Sequence, residues 1–288
     1  NYVRGGNGSC GVLAGDSVVD IVSNWAGPNP PVCCEDVLHR GADCLERIRS
    51  LAVTGSVRCS IESVRLGAPL SRPGKIIGLA GNYSEHIKES PKELGLSVCG
   101  ESRSVPAVFL MPATVIRGPG DEIPWCVFSR QIDYEIELAA VIGKRAKGVR
   151  PEEAPDYVGG YTIANDISAR SADFGPGREP KRWDEVHDWM KGKWSDGFLP
   201  LGPYLGTADE VKDVQDMEME LKVNGQTRQK ANTGQMIFPL AQQISFISHI
   251  MTLEPGDIIA TGTPAGVGIA TKGMLQSGKR IEERQAGL

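Results

Sequence analysis

The sequence predicts an α+β protein in which short strands outnumber helices. Two observations favour this class. From Lys75 onward, short apolar runs recur between turns that contain Gly or Pro, which is the pattern of a chain rich in β-strand. Apolar residues recur at helical spacing mainly in two stretches, residues 35–52 and 237–251. Periodicity alone therefore indicates a β-rich fold with some helix, and it leaves the strand order open.

The chain begins with a predicted small, β-rich N-terminal domain over residues 1–72. Strands are expected at residues 10–13 and 17–22, on either side of a turn that contains Gly and Asp. An amphipathic helix is expected over residues 35–52, and we assign it a role in packing only. Residues 68–74 contain two Pro and one Gly, which predict a linker into the rest of the chain.

Residues 73–288 are predicted to form a larger domain. Asn224 and Gly225 lie between two strand-like runs and predict a tight hairpin. The stretch Ile237–Met251 predicts a helix, because its apolar residues line one side at helical spacing. Strands are expected at Ile76–Leu79, Ala107–Leu110, Ile132–Val141, Gly160–Ala164, Glu218–Val223 and Asp257–Ala260.

Three acids, Asp133, Glu135 and Glu137, alternate with apolar residues in one of these strands. Alternate side chains of a strand point to the same face, so the three carboxylates are expected to share a face, and Asp166 can join them. No Lys lies beside them in the sequence, and like charges that close repel unless a cation compensates them. An all-oxygen set suits Mg²⁺, Mn²⁺ or Ca²⁺. The alternative is a half-exposed strand with solvated acids.

A second constellation lies upstream, where His86 and Glu89 follow the strand-like run 75–79. On a short helix, residues three apart lie on one face, where a carboxylate can hold an imidazole in one tautomer and raise its basicity. This arrangement is that of a water-activating pair. The alternative is an ordinary surface pair, which the same spacing also produces.

Six segments, taken in order, resemble the fumarylacetoacetate hydrolase family, and the resemblance covers residues 73–268. The segments are Gly-Asn-Tyr-x-x-His-x-x-Glu at 81–89, Asp-Tyr-Glu-x-Glu-Leu at 133–138, Asn-Asp-Ile-Ser-Ala-Arg at 165–170, Gly-Lys-x-x-Asp-Gly-Phe at 192–198, Pro-Leu-Gly-Pro at 200–203, and Thr-Gly-Thr-Pro-x-Gly-Val-Gly at 261–268. The resemblance implies an α+β fold built on a mixed β-sheet roll.

The resemblance also implies roles for nine residues. They are the divalent-metal ligands Glu135, Glu137 and Asp166, the water-activating dyad His86 and Glu89, the catalytic cation Lys193, and the substrate-binding residues Tyr83, Arg170 and Thr263. Lys193 would meet negative charge on the substrate, Arg170 would support the metal carboxylates, and Thr263 would contact the substrate carboxylate.

The activity implied by the resemblance is metal-dependent hydrolysis of a C–C bond in an acylpyruvate-type 2,4-dioxo acid, through an enolate that Mg²⁺, Mn²⁺ or Ca²⁺ stabilises. The same site could instead decarboxylate oxaloacetate, or isomerise or decarboxylate a 2-hydroxy-diene-dioate. A metal-binding subunit without catalysis is the alternative of another class. The resemblance further implies a small 2-oxo acid as substrate, a homodimer, and a role in aromatic catabolism.

Composition restricts the partners and the compartment. The formal net charge is −5 and no dense Lys/Arg run occurs, which argues against nucleic acid or an anionic membrane surface as a partner. No apolar stretch reaches the length of a membrane span, and the first residues lack a signal-peptide pattern. The seven Cys form an odd set without metal-type spacing, so we expect reduced thiols and a cytoplasmic location.

A polar segment, residues 173–191, lies between the last predicted metal ligand and Lys193. Its position suggests a lid over the substrate, and the alternative is a surface loop with a short helix. Just before it, the chain departs from the family's usual pattern: many members have Asp and then Gln after Ser-Ala-Arg, whereas this chain has Ser171-Ala172-Asp173.

Overall fold

The computed structural model describes residues 1–4, 7–89, 104–175, 177–179 and 181–286. Its strands are β1 (Tyr2–Arg4), β2 (Asn7–Ser9), β3 (Gly11–Ala14), β4 (Ser17–Asp20), β5 (Arg58–Ser60), β6 (Arg65–Leu66), β7 (Ile76–Leu79), β8 (Val108–Met111), β9 (Ile116–Arg117), β10 (Gln131–Asp133), β11 (Ile136–Ile142), β12 (Val158–Asn165), β13 (Ser168–Arg170), β14 (Leu199–Thr207), β15 (Glu218–Val223), β16 (Gln226–Asn232), β17 (Ile258–Ala260) and β18 (Ile281–Gln285). Its helices are α1 (Ile21–Asn24), α2 (Cys34–Arg40), α3 (Ala42–Thr54), α4 (Ser84–Glu89), α5 (Arg182–Lys191), α6 (Leu240–Ile250) and α7 (Gly268–Thr271).

The largest sheet has seven strands in the order β8-β7-β17-β11-β12-β14-β9. Its pairs are antiparallel except β7 with β17 and β9 with β14, which are parallel. Every residue of the central strand β11 is buried. Leu138 and Ala140 pack into one apolar cluster and Ala139 and Val141 into another, so both faces of the sheet are covered. This mixed sheet with its helices confirms the predicted α+β class.

Within the described ranges, four smaller sheets, of two or three strands each, accompany the large one. Their orders are β2-β1-β6, β3-β4-β5, β10-β13 and β16-β15-β18. The hairpin predicted at Asn224 and Gly225 joins β15 to β16, and both residues have positive φ, 50° and 77°. Those dihedrals match the turn that suits a two-residue hairpin, which is why Asn and Gly occupy it.

The helix predicted over residues 35–52 is wrong as a single element. Gly41, with φ of 75°, separates α2 from α3 and caps both, a conformation that glycine adopts readily. The helix predicted from Ile237 begins later, at Leu240. The backbone N–H groups of Ile237 and Phe238 instead donate to the backbone and side-chain oxygens of Asn82, at 2.7 and 2.9 Å, which holds them extended.

The acidic strand predicted over residues 132–141 is also two elements, because the chain leaves one sheet and enters another. β10 ends at Asp133 and pairs with β13, whereas β11 begins at Ile136 in the large sheet. Asp133 nevertheless lies close to Glu135, because the Arg170 guanidinium donates to both carboxylates, so the break does not take Asp133 away from the other acids. The carboxylate of Asp133 accepts from the backbone N–H groups of Gly268 and Ile269, at 2.5 and 3.1 Å.

Helix α5 is fixed at its C-terminal end by Gly192. The Gly192 carbonyl accepts from the backbone N–H of Ala169 in β13, at 2.9 Å. A Cβ atom on Gly192 would lie 2.4 Å from the carbonyl oxygen of Ala169, so only glycine allows this approach. The contact sets where Trp189 and Lys193 lie, on either side of it.

Within the described residues, no helix combines the length and the apolar character that a membrane crossing requires.

We expect Gly192→Ala to destabilise the protein by about 1–3 kcal/mol, the usual cost of overpacking against atoms that cannot move freely. Denaturant unfolding followed by circular dichroism measures the change. Gly8→Ala is the matched control, because Gly8 is exposed and a Cβ there meets no atom within 4 Å. Equal stability of the two variants would show that α5 is not held by this contact.

Candidate metal and catalytic site

Glu135, Glu137 and Asp166, called here the acid cluster, come together where β11 begins and β12 ends. Antiparallel pairing of these strands places Ile136 opposite Asn165. The residues next to that pair are thereby adjacent, and the Asp166 backbone N–H donates to the Glu135 carbonyl at 2.9 Å. All three acids are buried, and one carboxylate oxygen from each lies within 4.8 Å of the others.

Two cations lie in the same buried region. The Lys193 ammonium donates to Glu135 at 2.7 Å, to Asp166 at 2.5 Å and to the hydroxyl of Ser168 at 2.9 Å. The Arg170 guanidinium donates to Glu135 and, at 3.1 Å, to Asp133. Compensating charge therefore does reach the acids, from residues distant in the sequence.

The charges within the site shift its pKa values in opposite directions. Burial raises the pKa of Glu135, but the nearby Lys193 and Arg170 cations outweigh it and lower the pKa to about 2. Burial, together with the charges of Asp166 and Glu135, raises the pKa of Glu137 well above its usual range. Burial also raises the pKa of Asp166, to about 6, although Lys193 opposes the shift. The carboxyl of Glu137 is thus the least compensated of the three.

The acid cluster fits a hard divalent cation. One oxygen of Asp166, Oδ1, is buried and has no hydrogen-bond partner among the described residues. A buried acceptor without a partner is costly unless something else satisfies it. Three carboxylates supply only oxygen ligands, which Mg²⁺, Mn²⁺ and Ca²⁺ prefer. The three residues therefore have the position, the chemistry and the unsatisfied acceptor of a metal site.

His86 and Glu89 lie on one face of the short helix α4, as their spacing predicts. The Nδ1 atom of His86 is 3.2 Å from a carboxylate oxygen of Glu89. With that nitrogen protonated and held by the carboxylate, Nε2 becomes the basic nitrogen of the ring. Glu89 also accepts from the backbone N–H groups of Gly266 and Val267, at 2.9 and 3.4 Å. Because the imidazole of His86 is buried, the His86–Glu89 pair is not an ordinary surface pair.

The Thr-Gly-Thr turn reaches the acid cluster through Gly262. The Gly262 backbone N–H donates to a carboxylate oxygen of Glu137 at 2.9 Å. Its φ is 93°, and a Cβ would lie 2.7 Å from the Cβ of Asn82, so the turn requires glycine. In the same turn, the Thr263 hydroxyl donates to the Ile136 carbonyl at 3.0 Å. Its contact with a substrate carboxylate stays a prediction.

The structure brings most of the predicted substrate-binding residues to the same place. Tyr83 is buried, and its hydroxyl has no partner among the described residues. Burial and the charge of Glu137 raise the pKa of Tyr83 strongly, so the phenol keeps its proton and can donate it to a ligand. Arg170 is fully engaged with Asp133 and Glu135, which agrees with a supporting charge.

Several residues to which the sequence assigned no role form hydrogen bonds that position the site residues. Asn165 accepts from the Glu135 backbone N–H at 2.9 Å, and Ser168 accepts from Lys193. Both lie in the Asn-Asp-Ile-Ser-Ala-Arg segment, so that motif was the available signal. Gln229 donates to Thr263 at 2.8 Å and accepts from the Ile136 backbone N–H at 3.0 Å. Nothing in its strand distinguished it.

The segment predicted as a lid, residues 173–191, contains α5. Pro176 and Pro180 lie outside the described residues. Arg178 forms ion pairs with Asp184 and Asp188 of the helix, at 3.0 and 2.5 Å. These contacts join the residues before α5 to the helix itself. Closure over a substrate stays a prediction.

The family model for the C-terminal domain of fumarylacetoacetate (FAA) hydrolase matches residues 75–288. The chain belongs to this family. A mitochondrial oxaloacetate tautomerase from Bos taurus is 37% identical over 262 residues, which are 90% of this chain and 76% of that protein.

Solved structures of family members share the fold. Maleylpyruvate hydrolase from Sphingobium sp. SYK-6, in complex with manganese(II) and pyruvate, has a TM-score of 0.77 and 30% identity, covering 99% of this chain and 95% of that one. The 2-hydroxyhepta-2,4-diene-1,7-dioate isomerase from Mycobacterium marinum has a TM-score of 0.65 and 32% identity, covering 81% and 78%. The mixed β-sheet roll expected from the resemblance is confirmed.

We expect Lys193→Met to lower the stability of the protein in EDTA by roughly 3–5 kcal/mol, because removing one partner of a buried ion pair leaves uncompensated charge. Mn²⁺ should restore most of that loss, since a cation can replace the ammonium among the same oxygens. Thermal unfolding with EDTA and with Mn²⁺ measures both effects. Lys230→Met, on an exposed position of β16, is the control. A variant as stable as the wild type in EDTA would contradict the role of Lys193 as a counter-charge.

Proposed function

We propose that this protein is a divalent-metal-dependent hydrolase that cleaves a C–C bond in an acylpyruvate-type 2,4-dioxo acid. One observation carries the proposal: three buried carboxylates converge, one with an oxygen that has no partner among the described residues, and the buried His86 of the His–Glu pair is near enough to Glu135 for its charge to lower the pKa of that carboxyl. Family membership and the hydrolase and isomerase neighbours support it.

In this proposal Glu135, Glu137 and Asp166 hold one divalent ion. When bound, such an ion supplies Lewis-acid polarisation of the 2-oxo group. Of the three candidates, Mn²⁺ has support from the maleylpyruvate hydrolase neighbour, and Mg²⁺ and Ca²⁺ suit the same oxygen donors.

The other residues act on protons and charge. His86, oriented by Glu89, would take a proton from water, and the resulting hydroxide would attack the distal carbonyl. Lys193, buried beside the acid cluster, would neutralise the developing oxyanion. The C–C bond then breaks with its electron pair going to the pyruvate half, which takes up one proton, while the acyl half leaves as a carboxylate.

A second candidate is chemistry on an enolate without attacking water, such as tautomerisation or decarboxylation of oxaloacetate or isomerisation of an unsaturated diacid. The identity to the bovine oxaloacetate tautomerase and the isomerase neighbour favours it. An activity panel with Mn²⁺ or Mg²⁺ over acylpyruvates, oxaloacetate and unsaturated 2-oxo diacids decides between the two. Hydrolysis of acylpyruvates alone would support the first candidate, and turnover of oxaloacetate alone would support the second.

The remaining expectations belong to the same proposal. A homodimer and a role in aromatic catabolism rest on the family resemblance, and a cytoplasmic location rests on the sequence features described above. The bovine relative is mitochondrial, so cell fractionation would test the location. Sedimentation of the purified protein would test the dimer.

We expect Glu137→Gln to abolish metal binding and activity together, because it removes a charged ligand from the acid cluster. Titration calorimetry with Mn²⁺ measures the first effect and acylpyruvate turnover the second. Glu218→Gln is the control, since Glu218 is exposed on β15. Full activity of the wild type in excess EDTA would contradict a metal-dependent reaction.

We expect His86→Ala to slow acylpyruvate hydrolysis by roughly 10²–10⁴-fold, the usual contribution of a general base. His39→Ala, at an exposed position of α2, should change nothing. An unchanged rate in the His86 variant would remove the dyad from the mechanism. Loss of hydrolysis with retained turnover of oxaloacetate would assign the dyad to water activation alone.

A further inference from the structure

Two aromatic rings, called here the aromatic wall, lie beside the acid cluster. Phe109 of β8 and Trp189 of α5 form an edge-to-face pair, with ring centroids 4.9 Å apart and an interplanar angle of 74°. The Lys193 ammonium is 5.3 Å from the Trp189 ring centroid and 5.7 Å from that of Phe109. The same ammonium contacts Glu135 and Asp166, so the rings border the region of the proposed metal site.

The neighbouring backbone fixes both rings in place. The ring of Phe109 lies against Gly78 of β7, where a Cβ atom would come within 2.3 Å of it. Trp189 is held by the close approach of Gly192 to β13. Next to Gly192 and Lys193, the Trp194 indole N–H donates to the carbonyl of Leu110, at 2.9 Å, and so joins the end of α5 to the strand of Phe109.

The indole N–H of Trp189 is a donor that no described residue satisfies. Its Nε1 atom is buried, and it has no hydrogen-bond partner among the described residues. Buried Trp N–H groups usually find a partner, and an unpaired one costs free energy. A ligand oxygen at the wall would satisfy it.

The charge of the wall favours an uncharged group. Aromatic faces carry partial negative charge, so they attract cations and apolar planar groups and disfavour a carboxylate. The ammonium beside the rings is already held by three oxygen atoms, those of Glu135, Asp166 and Ser168. All three of its N–H donors are thus engaged, so a distal carboxylate on the substrate would gain no further hydrogen bond from it.

We propose that Phe109 and Trp189 determine substrate specificity: they receive the distal acyl group, select a planar uncharged one such as an aroyl group over a distal carboxylate, and the Trp189 N–H donates to its carbonyl oxygen. This inference rests on the proposed function, because it takes the substrate to be an acylpyruvate. It concerns the distal substituent, to which the proposed function assigns no contact with the acid cluster or the dyad.

Binding of 2-oxo acids that cannot be hydrolysed separates this proposal from the reaction. Titration calorimetry in Mn²⁺ would compare 2-oxo-4-phenylbutanoate, 2-oxoadipate and pyruvate. We expect the phenyl ligand to bind at least about ten-fold more tightly than the diacid, a difference of the size expected for burying an aromatic ring. Trp189→Ala should remove most of that preference and leave pyruvate affinity within about two-fold. Trp183→Phe, on an exposed position of the same helix, should change none of the three affinities.

The outcomes are distinct. Two results would overturn the role proposed for the aromatic wall. One is a wild type that binds the diacid as tightly as the phenyl ligand, and the other is a Trp189→Ala variant that keeps the preference. Phe109→Leu gives a second variant if Trp189→Ala does not fold, and it should weaken the preference in the same direction. If the wild type prefers the phenyl ligand but does not hydrolyse acylpyruvates, the proposed function is wrong and the role of the aromatic wall in specificity stands.

Trp189→Phe tests the N–H group, because it removes the donor and leaves a smaller aromatic ring at the same position. We expect kcat/KM for benzoylpyruvate to fall about two- to ten-fold, the usual effect of one hydrogen bond. Binding of 2-oxo-4-phenylbutanoate, which has no distal carbonyl, should stay within about two-fold. An unchanged kcat/KM would overturn the assigned role of the N–H.

Discussion

The pairing of buried carboxylates with Arg170 and Lys193 is the interaction on which the rest of the site depends. Removing a carboxylate from water costs several kcal/mol unless charges and hydrogen bonds replace the water. Arg170 of β13 joins Asp133 of β10 to the acid cluster, and Lys193 joins the end of α5 to the same cluster. Each cation therefore connects an element of a different part of the fold to the start of β11.

The compensation is incomplete, and the deficit is where the proposed function needs it. Glu135 contacts both cations, whereas Glu137 accepts from the backbone N–H of Gly262 and has a raised pKa. In the part of the chain that the structure describes, one oxygen of Asp166 has no hydrogen-bond partner. Natural proteins keep such unfavourable groups mainly at functional sites, where a ligand supplies what the fold does not. The residual negative charge is thus the physical basis for proposing a divalent cation.

Local patterns predicted the elements well where the local sequence determines them. Alternation and the apolar run predicted β11, and Asn224 with Gly225 predicted the hairpin, because pleating and turn dihedrals depend on adjacent residues. The single helix predicted over residues 35–52 is instead two helices, because Gly41 ends the first and begins the second. The acidic strand failed at its junction, because pairing with β13 and then with β12 decides where the chain changes sheet.

The sequence by itself determined the family, the fold class and the identity of the acid cluster and the dyad, since ordered motifs carry those residues. Only the tertiary structure decided their partners. Lys193 is 58 residues from Glu135, and Trp189 is 80 residues from Phe109, so no periodicity reports these contacts. They arise because the end of α5 packs against β8 of the large sheet. Charge compensation and ring packing depend on distance in space, whereas a sequence pattern records only distance along the chain.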